Sequence, residues 1–145
     1  MKKKAVEYTL KATKQDFAIE KMTNSESSYN FAKKFYHDDL NIYESCFIML
    51  LNRANNVTGY AKISQGGICG TMVDVRLICK YAIEALSTSV ILVHNHPSGN
   101  LSSSPEDEKI TKSVKEALKL FNIRLLDHII ISEYGYYSFL DNGRI

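Results

Sequence analysis

The chain has 145 residues, a formal net charge of +2 and 45% hydrophobic content, which fits one soluble domain with a real core. That charge does not demand a nucleic-acid partner, and Lys2, Lys3 and Lys4 read as a solvated terminus. No apolar stretch is long enough to cross a bilayer, and the Lys-rich start lacks the apolar region of a signal peptide, so a cytoplasmic protein is expected. The three cysteines, Cys46, Cys69 and Cys79, form no C-x-x-C pair and lie in or near apolar segments, which predicts buried reduced thiols.

In chain order, Lys4 to Thr13 alternates loosely through Ala5, Tyr8 and Leu10 and predicts an edge strand within an N-terminal arm, residues 1–25. Gln15 to Thr23 is ambiguous. Asn24 or Ser25 caps a helix running to about His37, with Tyr29, Ala32, Phe35 and Tyr36 at helical spacing as core contacts. Cys46 to Asn52 reads as a buried strand, Asn55-Asn56 as a turn, and Val57 to Ser64 as the returning strand of a hairpin, which Gln65-Gly66-Gly67 ends. Glu44, just ahead of that hairpin, reads by itself as an ordinary solvated carboxylate.

Asp74 caps the next helix, which ends near Leu86 and carries an apolar stripe of Val75, Ile78, Ala82 and Leu86. Arg76 beside it is expected to make a surface salt bridge. Ser89 to Val93 is a buried strand ending in His94 and His96. Pro105 to Phe121 is the clearest helix, with Ile110, Val114, Ala117, Leu118 and Phe121 on one face and Asn122 at its end. Arg124 to Ser132 is a strand, Gly135 a turn, and Tyr136 to Leu140 a last short strand. The alternation predicts an α/β fold, a mixed sheet flanked by helices.

The chemistry concentrates between Val90 and Asp107. Side chains two apart on a strand share a face, so His94 and His96 can approach one ion together. Pro97 stops the strand, and a turn-rich loop leads to Ser104, an N-cap followed by Pro105 at the first helical position. Asp107, in the first helical turn, can then fold back towards both imidazoles. Two imidazoles and a carboxylate suit a divalent metal such as zinc, and three protein ligands leave the open fourth position of a catalytic site. The bland alternative is a structural histidine and a capping-box aspartate, and a ferrous site also takes this ligand set. An HNH nuclease does not fit, because His94-Asn95-His96 stands at a strand end.

His94-x-His96-Pro97, followed at the right spacing by Ser104-x-x-Asp107, resembles the metal-binding pattern of JAB/MPN (JAMM) metallopeptidases. His94-Asn95-His96-Pro97-Ser98-Gly99 and Leu126-Asp127-His128-Ile129-Ile130-Ile131 resemble its RadC-like branch, over roughly Glu26 to Phe139. The resemblance implies a RadC-like JAB/MPN domain over residues 26–145 with a three-layer, cytidine-deaminase-like architecture. Deaminase chemistry is not implied, because His-x-Glu and Pro-Cys-x-x-Cys elements are absent. It implies zinc held by His94, His96 and Asp107, Glu44 as general acid/base, Ser104 as oxyanion donor, and a peptide or isopeptide substrate. For the Asp127-His128 pair we expect a supporting role rather than direct ligation. Full-length RadC proteins also carry an N-terminal helix-hairpin-helix DNA-binding region. The roughly 25 residues before the first helix here are too few for it, so autonomous DNA binding is not expected, and a DNA-associated module with a vestigial site is the alternative to the hydrolase. The substrate and the oligomeric state are not legible in these residues.

Overall fold

The structure is a computed structural model and describes residues 1–66 and 72–145. Cys69 and Gly67 therefore lie outside the described residues. Strand β1 (Glu20–Lys21) is followed by helix α1 (Ser25–Ala32), which runs into a single 3-10 turn at Lys33–Phe35. The hairpin strands β2 (Ser45–Leu51) and β3 (Asn56–Gln65) come next, then α2 (Val75–Glu84), β4 (Ser89–Asn95), α3 (Pro105–Lys119), β5 (Arg124–Ser132) and β6 (Gly135–Ser138). The sheet order is β1-β3-β2-β4-β5-β6, and among these pairs only β4 with β5 is parallel.

A parallel pair needs a crossover, and α3 supplies it. The central strands β2 and β4 are buried at every position, which explains their near-continuous apolar sequence: both faces of the sheet are covered. Phe47, Met49 and Leu51 of β2, with Ile91 and Val93 of β4, join Phe31, Phe35 and Tyr36 in one core. The alternate residues Ile48, Leu50, Val90 and Leu92 join Ile78 and Ala82 of α2 and Val114 and Leu118 of α3 in the other. The molecule is thus an α/β fold of three layers, α1 on one side of a mixed sheet and α2 and α3 on the other.

The first helix has the expected cap: Asn24 accepts from the Ser27 N–H, and Ser27 Oγ accepts from the Asn24 N–H. Two expectations are corrected. Lys4 to Thr13 forms no strand and stays exposed, because its alternation meets no strand to pair with; the edge is Glu20–Lys21, paired with Val57 and Asn56. Leu86 leaves the apolar stripe of α2. It lies past the helix end at φ 51 and is 86% exposed, while the Ser87 N–H reaches back to the Ala82 carbonyl. Arg76 makes the expected surface ion pair, 2.9 Å from Asp74.

Candidate metal centre

The carboxyl end of β4 delivers His94 and His96 on the face that packs against α3, and the first turn of α3 delivers Asp107. A turn closes directly after the strand: the Gly99 N–H donates to the His96 carbonyl at 2.9 Å. Gly99 sits there at φ +83, and a Cβ would meet the Tyr134 ring at 3.4 Å, which accounts for glycine. The loop then folds back so that the Asn100 carbonyl lies 2.6 Å from His96 Nδ1.

Four side chains converge. His94 Nε2 lies 2.9 Å from His96 Nε2, 3.1 Å from Asp107 Oδ1 and 3.7 Å from Glu44 Oε1. His96 Nε2 lies 3.3 Å from Asp107 Oδ2 and 3.9 Å from Glu44 Oε1. One ligand atom from each of the four falls within 4.8 Å of every other. Donors about 2.0–2.1 Å from a tetrahedral zinc stand about 3.3 Å apart. The spacing of His94, His96 and Asp107 fits that demand, and Glu44 stands slightly further off.

Hydrogen bonding around these side chains sharpens the fit. His96 Nδ1 faces a carbonyl, which can only accept, so Nδ1 carries the hydrogen and Nε2 presents a lone pair to the cluster. Asp107 Oδ2 accepts from the Ser104 N–H at 2.8 Å, while Ser104 Oγ accepts from the Asp107 N–H at 3.1 Å. Asp107 thus closes the capping box and faces both imidazoles at once, so the two readings left open by spacing do not exclude each other. Burial tends to raise the Asp107 pKa, but hydrogen bonds with His94 and His96 outweigh it and hold the carboxyl well below the usual range. Burial likewise tends to lower the His96 pKa; hydrogen bonds to Asp107 and the Asn100 carbonyl reverse this, and the net shift is upward. Both shifts describe a site that attracts positive charge.

Glu44 precedes β2, and its position depends on a residue the sequence reading passed over. Asn95 points away from both histidines, into the opposite face, and is fully buried. Its Oδ1 accepts from the Ser45 N–H at 2.7 Å, and its Nδ2 donates to the Leu40 and Tyr43 carbonyls at 2.7 and 2.8 Å. Tyr36 adds a bond from its hydroxyl to the Ser45 carbonyl at 2.8 Å. The signal was present in the strand alternation, since a polar residue between two histidines that share one face must face the other layer. Ser104 is the N-cap of α3, and among the described residues nothing accepts a hydrogen bond from its hydroxyl. Asp127 and His128 do not join the four converging groups. Asp127 accepts from the Ser138 hydroxyl at 2.6 Å and from the N–H groups of His128 and Leu140 at 2.7 and 3.0 Å.

Beside the cluster opens a cavity of about 270 Å³, walled by Glu44, His94 and Asp107 and given an apolar lining by Val73, Val75, Leu92 and Ile110. Cys46 also lines it; burial, then the nearby Glu44 charge, pushes its thiol pKa far up, so it is no nucleophile.

Residues 22–144 match the sequence profile of the RadC-like JAB domain. The chain belongs to the RadC-like JAB domain family. Among its curated relatives, a UPF0758 protein of Flavobacterium johnsoniae is 41% identical over 125 residues, covering 86% of this chain and 54% of the relative. A UPF0758 protein of Porphyromonas gingivalis is 38% identical over the same shares, and one of Streptococcus sanguinis is 35% identical over 77% of this chain and 50% of the relative. The chain thus spans about half the length of the RadC-family relatives it matches. Among the described residues, no helix is long and apolar enough to cross a membrane.

Proposed function

We propose that this chain is a zinc-dependent hydrolase of amide or isopeptide bonds in a protein or peptide, with His94, His96 and Asp107 as the zinc ligands. The observation that carries this reading is the convergence of two imidazole Nε2 atoms and two carboxylates, within 4.8 Å of one another, at the mouth of a cavity. Groups that all accept repel one another unless a cation lies among them. When bound there, zinc supplies Lewis acidity, bringing the pKa of water towards about 7 and polarising a carbonyl.

The chain's own residues do the rest. Glu44, 3.7 and 3.9 Å from the imidazoles and outside the tighter trio, takes the proton from water and returns it to the departing amine. The free hydrogen of the Ser104 hydroxyl is available to the carbonyl oxygen as negative charge develops. The apolar cavity wall seats a side chain next to the bond being cut and keeps bulk water from it.

The test is a peptide-library cleavage screen with zinc, run on the parent, Glu44→Gln and Ser104→Ala. Glu44→Gln is expected to bind zinc as the parent does and to lose turnover. Ser104→Ala is expected to lose about a hundredfold or more in rate, and separately about 1 kcal/mol of stability from the missing cap. A Glu44→Gln chain that cleaves at the parent rate places the base elsewhere and contradicts the mechanism.

A further inference from the structure

A second line of hydrogen bonds leaves the cluster from the other ring nitrogen of His94 and runs through His128, which also lines the cavity. His94 Nδ1 lies 2.7 Å from His128 Nε2, and His128 Nδ1 lies 2.5 Å from Thr111 Oγ1. Thr111 Oγ1 in turn donates to the Asp107 carbonyl at 2.6 Å. All three residues are buried, His128 at 1% exposure. The Phe139 ring stacks on His128 at 4.5 Å and 11°, fixing the plane of the imidazole.

We propose that Thr111 and His128 are positioning residues for the cation site, forming a relay in which one hydroxyl hydrogen dictates the tautomer of His94. The argument is a count of hydrogens. A threonine hydroxyl has one to give, and in a helix it is given to the carbonyl four residues back, here that of Asp107. The oxygen can then only accept from His128, so His128 carries its hydrogen on Nδ1 and presents a lone pair at Nε2. His94 must fill that lone pair from its own Nδ1–H. Its Nε2 is left bare, facing His96 and Asp107.

The reverse polarity fails on the same count. If Thr111 donated to His128, its oxygen would sit 2.6 Å from the Asp107 carbonyl with no hydrogen between them. His128 would then donate from Nε2, His94 would accept at Nδ1, and its remaining hydrogen would point into the cluster where a ligand lone pair is needed. The relay therefore ties together two ligands from different elements, Asp107 through its backbone on α3 and His94 through its ring on β4. It rests on the metal reading above for its purpose, but not for its geometry.

Two readouts test it on the full chain. Long-range nitrogen NMR of the metal-free protein, at alkaline pH where free imidazoles are neutral, reads the histidine tautomers. Chelator competition reads zinc affinity. In the parent we expect His94 and His128 both protonated on Nδ1. Thr111→Val, nearly isosteric, should mix the His94 tautomers and weaken zinc binding about 10- to 100-fold. Thr111→Ser, which keeps the hydroxyl, should restore both. A parent with His94 protonated on Nε2 overturns the relay, as does a Thr111→Val chain with parental tautomers or parental zinc affinity. A parent that shows the expected tautomers and binds no zinc overturns the hydrolase reading and leaves the hydrogen-bond polarity standing.

Discussion

At the scale of single residues, Asp127 shows how a buried charge can be held without joining the site. Burial raises its pKa above the ordinary carboxylate range, against the pull of the Ser138 hydroxyl and the Leu140 and His128 N–H groups. The folded state therefore holds that proton more tightly than the unfolded one. Stability from this group is present in acid and is lost as pH rises through the raised value. Asp127→Asn keeps one oxygen for the two N–H donors and gives the Ser138 hydroxyl a donor in place of an acceptor. Urea unfolding across acidic pH should show the parent losing stability relative to Asp127→Asn as pH rises through that window, with the difference level above it. A difference that does not vary with pH contradicts this account. Asp74 and Glu108, both lowered by arginine partners, drift the opposite way in parent and variant alike, so the comparison isolates Asp127. The sequence showed that Asp127 and His128 needed partners, because polar groups inside an apolar run must be bonded. It did not show which partners. Ser138 and Thr111 come from other elements, and nothing in local spacing announces them.

At the scale of elements, the unit that matters is the strand end and what it holds on each face. His94 and His96 face α3, while Asn95 faces the other layer and ties down the segment that carries Glu44. Asn95→Ala leaves the Ser45 N–H and two carbonyls without their partner, a loss of about 3 kcal/mol from groups that each cost about 1–3 kcal/mol when unpaired. It should also lower turnover by displacing Glu44, while zinc affinity stays at the parent level. Chemical denaturation, kinetics and chelator competition on the same protein separate these effects, and a large fall in zinc affinity contradicts the division of labour. Most elements were legible because their signals are local. Arg124 to Ser132 is a strand over the residues its apolar run marks, and α3 begins at its Ser-Pro cap. The edge strand was misplaced for a physical reason: two residues, Glu20 and Lys21, are too few to show a period, whereas Lys4 to Thr13 shows one and has nothing to pair with. Leu86 misled in the same way, since helical spacing says nothing of where the backbone turns out.

At the scale of the molecule, the cluster stands where an open α/β sheet places its ligands, at the carboxyl end of a parallel strand and the amino end of the helix that follows. That helix carries Glu106, Asp107 and Glu108 in its first turn, where the helix dipole favours negative charge. Arg144, near the chain's end, returns to Glu108 at 2.7 Å and so ties the last residues to the helix start beside the site. As an exposed, solvent-screened pair it adds little to stability. The central claim is that His94, His96 and Asp107 form one cation site, and zinc titration of the chelator-stripped chain tests it most directly. The account predicts saturable binding of a single zinc per chain, a rise in melting temperature with zinc, and loss of both in His94→Ala and Asp107→Ala. A parent that binds no zinc, or binds it equally well after both substitutions, contradicts it.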